Sequence, residues 1–232
     1  SIYGCNDAAM RHDAMAGYYA SITHVDHQIG RILSALREEG MYEDTIILFV
    51  SDHGEMLFDH SLWRKVFPYE GSTHIPFLMH IGKNIADLLP KRIQGICELR
   101  DIMPTLLALC DLPIPETVDG LSLYDTILHD TEIERSYLHG EHSFHSGFSN
   151  HYIVTPTDKY IWYSETGREQ YFHLANDPNE THDALHDVQY QQRIEQLRKY
   201  LIAELKDREE GYSDGSRLFS GKCAKTILQQ KY

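Results

Sequence analysis

Cysteine is scarce and scattered. The four in 232 residues, Cys5, Cys97, Cys110 and Cys223, form no Cys-x-x-Cys pair. That excludes a disulfide framework and a zinc ribbon and leaves isolated, mostly buried thiols as the expectation. Positive charge is in deficit: 21 Lys and Arg stand against 35 Asp and Glu, a net charge of −14. Nucleic acid is thereby excluded as a bulk partner, and an anionic substrate would need positive charge concentrated at its site. No apolar run reaches the ~20 residues of a membrane span, so no membrane partner is expected. No basic start leads into an apolar stretch, so no secretory signal is visible; the compartment, cytoplasmic or periplasmic, stays open. Internal repeats and low-complexity tracts are absent. What remains is ordinary globular usage, 42% hydrophobic and 11% aromatic, in a length suited to one large domain or two small ones.

The first ten residues read as loop. From His12 to Glu39, Met15, Tyr18, Tyr19, Ile22, Val25, Ile29, Ile32, Leu33 and Leu36 recur at three- and four-residue steps, which predicts a helix with one apolar face, stopped by Gly40. Thr45–Val50 is short, β-branched and apolar without alternation, the pattern of a central strand buried on both faces. His74–His80 reads as a second strand and Asp101–Cys110 as a short helix, with Asp101 near its N-cap and Pro104 in its first turn. Pro113, Pro115 and Gly120 make a connecting stretch. Tyr152–Thr155, Tyr160–Tyr163 and Gln170–Leu174, separated by turn formers, predict an antiparallel meander. Val188–Leu205 reads as a helix with Ile194, Leu197, Leu201 and Leu205 on one face. The expected organisation is an α/β portion over residues 1–125, a small antiparallel sheet with a helix over 126–206, and a polar tail over 207–232 with few anchors.

The chemistry-bearing stretch is Ser51 to Lys65. It starts where the apolar strand stops, and ligands in open α/β sheets bind beyond the carboxyl ends of strands. Asp52 offers hard oxygen to Ca²⁺ or Mg²⁺, His53 can ligate or hydrogen-bond an anion, and Gly54 allows close approach of the backbone. Lys65 is a compact charge on a long stem, suited to an oxyanion. The tripeptide Asp52-His53-Gly54 alone is compatible with a polar turn; with Glu55, His60, Trp63 and Lys65 it reads as a site. His60 lies in the same loop, substrate-facing or on the surface. His74 opens the second strand as a further substrate candidate. His139-Gly140-Glu141-His142, with His145 and His151, is dense in histidine, but its spacing matches no zinc motif. It reads as polar strand ends and loops, with Glu141 and His142 as candidate substrate contacts. Tyr160, Trp162 and Tyr163 read as sheet packing.

These residues resemble the sulfatases of the alkaline-phosphatase superfamily. Tyr18 to Gly30 followed by Thr45 to Glu55 look like that family's helix-to-strand block. Asp59-His60-Ser61-Leu62-Trp63-Arg64-Lys65 is similar to its Asp-His-Gly-Leu-Trp-x-Lys run. Pro104 to Leu107 with Asp119-Gly120 and Ser122-Leu123, then Gln170 to Leu174 with Asp177 to Glu180, look like its later landmarks. The resemblance spans roughly Tyr18 to Leu205. It implies a partial alkaline-phosphatase-like α/β sandwich, followed by a small antiparallel sheet and a C-terminal helix. It also implies a sulfuric ester hydrolase acting on a sulfated small molecule or carbohydrate, with a formylglycine nucleophile and a divalent cation, Ca²⁺ or Mg²⁺. Asp52 and His53 would be metal ligands, and Lys65 would hold a sulfate oxygen.

The chain departs from the family in two respects. The nucleophile signature (Cys or Ser, any residue, Pro or Ala, any residue, Arg) begins at none of its cysteines or serines, and the paired N-terminal aspartates of the metal site are missing. The expectation is therefore the C-terminal half of a sulfatase, inactive alone. It should expose a large apolar surface, which the missing N-terminal half or a second copy would cover. Two other readings stay open, a phosphonate or phosphodiester hydrolase of the same superfamily and a non-catalytic binding module.

Overall fold

The computed structural model of the chain describes residues 7–143 and 148–222. Cys5, Cys223, His145 and the final ten residues of the expected tail lie outside them. The described residues form two compact units. One runs up to Lys65 and includes His74–Ile93; the other joins Val66–Thr73 to the chain from Gln94 onward. Residues 94–125, grouped with the α/β portion in the sequence, thus pack in the second unit.

The first unit is built on helix α1 (Ala8–Glu38), which begins four residues before His12. The Asp7 carboxylate accepts from the backbone N–H groups of Ala9 and Met10, at 2.9 and 3.4 Å. That cap converts part of the expected loop into helix. At the other end Gly40 takes φ +69°. Its N–H donates to Arg37 O and that of Met41 to Leu36 O, the paired bonds that close a helix on a left-handed glycine. No residue of α1 is buried. The apolar stripe read from the sequence is present but only partly covered: Met15, Tyr18, Ile29, Leu33 and Leu36 are half-buried, while Tyr19, Ile22, Val25 and Ile32 are exposed, Ile32 at 63%.

Strands β1 (Ile46–Val50) and β2 (Phe77–Ile81) pair antiparallel as a two-stranded ribbon. Phe49 stands opposite Leu78, and both remain exposed, at 44% and 58%. The expected central strand buried on both faces is therefore corrected. A continuous apolar run reads as double burial, but a ribbon with one neighbour per strand leaves β1 half-buried at best.

The second unit contains one helical turn, α2 (Glu70–Thr73), two short helices, α3 (Ile102–Leu109) and α4 (Tyr124–His129), and a four-stranded antiparallel sheet. Its strands are β3 (Leu138–His142), β4 (Asn150–Val154), β5 (Lys159–Tyr163) and β6 (Glu169–Phe172), in spatial order β3-β4-β5-β6. The meander matches the expected pattern, with β3 added at its edge. Helix α5 (Gln191–Glu204) lays Ile194, Leu197 and Leu201 over the sheet, where they bury Ile153, Tyr160, Trp162 and Tyr171. Tyr160, Trp162 and Tyr163 are packing residues, as read from the sequence. The segment after α5 is better anchored than its polarity suggests: Tyr212 is fully buried in the same core, and Ser213 Oγ donates to Ile202 O at 2.8 Å. Neither described cysteine is buried; Cys97 is half-exposed and Cys110 exposed.

Asp101 organises the approach to the sheet. Its buried carboxylate accepts from the N–H groups of Glu98 and Leu121, each at 2.8 Å. It also takes a two-pronged pair from Arg135 at 2.6 and 2.8 Å. Although burial acts to raise its pKa, Arg135 and the two backbone N–H groups more than offset this and hold Asp101 below 3.8. The unfolded chain then takes up a proton at a higher pH than the folded chain. This stabilisation is complete above the unfolded carboxylate pKa and is lost as pH falls through and below it. Removing one partner of a buried ion pair costs about 3–5 kcal/mol. Asp101→Asn is accordingly expected to lower the urea unfolding free energy by that order at pH 7 and to flatten its decline below about pH 4. Unchanged stability at pH 7 would contradict this role.

Candidate active site

Strand β1 ends on Val50, and the chain turns immediately through Ser51-Asp52-His53-Gly54. Ser51 Oγ donates to His53 O at 2.7 Å, and the Asp52 carboxylate accepts from the His53 N–H at 3.0 Å. The turn is thus held by its own polar groups. His53 Nδ1 lies 2.7 Å from Gly54 O. A carbonyl only accepts, so Nδ1 is the protonated nitrogen. Nε2 is left with its lone pair, 3.6 Å from Asp52 Oδ2. A backbone carbonyl fixing one ring nitrogen so that the other can ligate is the usual second-layer support of a metal-binding histidine. Asp52 is 84% exposed at its side chain and His53 37%. Two converging donors, one of them a hard carboxylate, therefore face solvent at the carboxyl end of β1 and suit a divalent cation.

The following loop is tightly closed. Glu55 accepts from the Arg64 N–H through its carboxylate, Met56 N–H donates to Arg64 O at 2.9 Å, and Phe58 N–H donates to Leu62 O at 2.7 Å. Met56 is fully buried, and the Phe58 and Trp63 rings lie 4.7 Å apart. Among the described residues, Leu57, Phe58, His60, Ser61, Arg64 and Val66 all have positive φ without being glycine. Each such residue costs on the order of 1–3 kcal/mol, and such strain concentrates at functional sites. His60 and Lys65 are exposed on this loop. Among the described residues, no ion pair joins Lys65 to Asp52. His74 is exposed just before β2.

Glu141 and His142 belong to the second unit, on β3, and as neighbours on a strand they point to opposite faces. Glu141 stands with His139 and His151: His151 Nδ1 lies 3.3 Å from Glu141 Oε2 and 3.4 Å from His139 Nε2. Burial, then the neighbouring His151, push His139 down to about 4. The hydrogen bond with His151, followed by those from Arg208, brings Glu141 to about 2. At neutral pH these are a neutral imidazole and a carboxylate. The sequence places four histidines and a glutamate in this region, but the grouping depends on strand register, which linear spacing does not reveal.

A family profile described as Sulfatase matches residues 3–112, and one described as N-sulphoglucosamine sulphohydrolase, C-terminal, matches residues 58–207. An arylsulfatase of Clostridium perfringens (strain 13 / Type A) is 51% identical over 215 residues, covering 92% of this chain and 44% of that protein. The chain belongs to the sulfatase family. It spans less than half the length of that relative. Among solved structures, a protein in complex with its substrate D-glucosamine-2-N,6-O-disulfate superposes with a TM-score of 0.69 at 22% identity, covering 83% of this chain and 41% of that one; at this identity the likeness shows the shared fold. The phosphonate monoester hydrolase of Agrobacterium radiobacter superposes with a TM-score of 0.68 at 27% identity, over 80% and 40% of the two chains.

Several sulfatase-like landmarks here are structural supports. Thr105 Oγ1 accepts from the Leu123 N–H at 2.9 Å and donates to Asp101 O at 2.6 Å. A side chain on Gly120 would stand 1.9 Å from Arg100 O. Asp177 accepts from the Thr181 and His182 N–H groups. The His53 geometry has a direct check. In long-range ¹H–¹⁵N correlation spectra of this sulfatase chain, the neutral His53 ring should be protonated on Nδ1. Protonation on Nε2 instead would remove His53 from the candidate ligand set.

Proposed function

We propose that this chain is the C-terminal part of a sulfuric ester hydrolase acting on a sulfated small molecule, a carbohydrate sulfate above all. The observation that carries the reading is the Asp52–His53 pair, 3.6 Å apart at the carboxyl end of β1, within the segment that matches the sulfatase profile. Asp52 would hold a divalent cation, Ca²⁺ or Mg²⁺, through hard oxygen, and His53 would complete this chain's share of the ligands through Nε2. The bound cation would neutralise charge on the sulfate group, and a formylglycine residue, supplied from outside this chain, would be the nucleophile. Lys65, exposed at the end of the strained loop, would contact a sulfate oxygen and stabilise charge as it develops. His60 would face the substrate from the same loop, and His74 of the same unit is a weaker candidate for a substrate contact.

The exposed Tyr19, Ile22, Val25 and Ile32 of α1 and the exposed Phe49 and Leu78 support a partner for the first unit, either the remaining sequence of the same protein or a second copy. By this reading residues 1–125 belong to the catalytic α/β domain and residues 126–206 to its smaller subdomain, and the 232-residue chain alone is inactive.

The similarity to a phosphonate monoester hydrolase favours a second reading, a phosphonate or phosphodiester hydrolase on the same scaffold. Both are tested in the full-length protein with 4-nitrophenyl sulfate and 4-nitrophenyl phenylphosphonate. The sulfate is expected to turn over faster. Lys65→Ala should lower kcat/KM for it by about 10²–10³-fold while leaving cation affinity nearly intact. Asp52→Asn should weaken cation binding and abolish turnover, and His60→Ala should act mainly on KM. Preference for the phosphonate would favour the second reading, and full activity of Lys65→Ala would remove Lys65 from the site.

A further inference from the structure

The strand register of the second unit assembles a donor set that includes neither Asp52 nor His53. Glu141 of β3 is directly opposite His151 of β4, while His139 is opposite Ile153. Residues 139, 141 and 151 consequently share one face of the sheet, with His139 diagonal to His151. One ring nitrogen each of His139 and His151 and an oxygen of Glu141 all lie within 4.8 Å of one another. The two shorter separations are 3.3 and 3.4 Å. Donors about 2.0–2.1 Å from a tetrahedral zinc ion are separated by about that much.

The surroundings fix this geometry. His151 is buried, with the Tyr212 ring at 4.8 Å and the Trp162 ring at 5.8 Å. Its Nε2 has no hydrogen-bond partner among the described residues. The polar capacity of a buried ring is therefore answered only on the Nδ1 side, inside the cluster. The two imidazole planes are within 8° of parallel. Arg208 bonds both oxygens of Glu141 at 2.9 Å, which orients the carboxylate without using all of its roughly four lone-pair positions.

From this geometry we infer that His139, Glu141 and His151 form a binding site for a divalent transition-metal ion of the zinc class, clasping the edge strand β3 to β4. Two imidazole nitrogens and one carboxylate suit Zn²⁺ or Co²⁺, whereas Ca²⁺ and Mg²⁺ prefer oxygen donors throughout. Three protein donors leave a fourth position to water or an external ligand. A bound ion would tie β3 to β4 by a bridge independent of the backbone ladder and stabilise the fold by mass action. Arg208 would set the selectivity of the site, because its charge beside the carboxylate opposes weak cations and leaves only strongly coordinating ones bound.

The test uses the whole chain after chelator treatment, titrated with Zn²⁺ by calorimetry and with Co²⁺ by visible absorption. One ion per chain and a four-coordinate Co²⁺ spectrum are expected. Glu141→Gln and His139→Gln keep the size and polarity of exposed or half-exposed positions, so they avoid the folding risk of altering buried His151; far-UV circular dichroism checks the fold. Each should weaken binding by about 100-fold or more, since even supporting residues of metal sites cost 10–100-fold. Asp52→Asn should leave it unchanged. Absence of binding in the parent chain would overturn the site. So would unchanged affinity in either folded variant, or loss of binding in Asp52→Asn.

Discussion

A buried ammonium group decides how this chain is divided. Lys159 starts the fully buried strand β5 and is 0% exposed. Removing an ion from water costs several kcal/mol unless partners surround it. Glu70 and Glu180 supply carboxylate oxygens at 2.6 and 3.0 Å, and Thr73 Oγ1 lies at 3.2 Å. Burial leaves Glu180 above the ordinary carboxylate range even with Lys159 pulling the other way. Glu70 N–H donates to Glu180 at 2.6 Å, and the Tyr69 hydroxyl donates to Gln170 at 2.9 Å. The segment from Val66 to Thr73 is thereby bound into the second unit although its neighbours in sequence belong to the first. The strained loop must therefore finish at Lys65.

This constraint explains why the candidate site residues of the first unit are so compressed. Between the end of β1 at Val50 and the departure of the chain at Lys65 there are fifteen positions. Within them the backbone presents Asp52 and His53, closes a loop on Glu55 and Arg64, and exposes His60 and Lys65. The left-handed residues from Leu57 to Arg64 show the conformational cost of fitting those tasks into that length. Buried Met56 and the Phe58–Trp63 contact offset part of it.

Much of this was legible in the sequence, for physical reasons that differ by element. Gly40 ended its helix because only a left-handed residue closes that turn without strain. The meander and α5 were legible because alternation and 3.6-residue periodicity record burial that the second unit supplies itself. The same periodicity in α1 records an apolar face that the described residues of its unit cover only in part, and the β1 run reads as burial for the same reason. Strand β3 was hidden because Leu138-His139-Gly140-Glu141-His142 has neither the alternation nor the β-branched content of a strand; its place comes from pairing with β4. Tyr212 was hidden for a related reason, a single aromatic anchor in a polar stretch. The sulfatase landmarks were legible as motifs, but their roles as supports around Asp101, Gly120 and Glu180 come from contacts between residues far apart in the chain.

On the proposed reading, Asp52 and His53 supply this chain's share of a cation site. The most direct measurement is a crystal structure of the full-length protein with Ca²⁺ and sulfate, the cation being located by anomalous scattering. The cation is expected at about 2.3–2.6 Å from an Asp52 oxygen, with His53 Nδ1 still donating to Gly54 O and Lys65 turned toward the sulfate. A cation bound elsewhere, with Asp52 left in solvent, would contradict the claim.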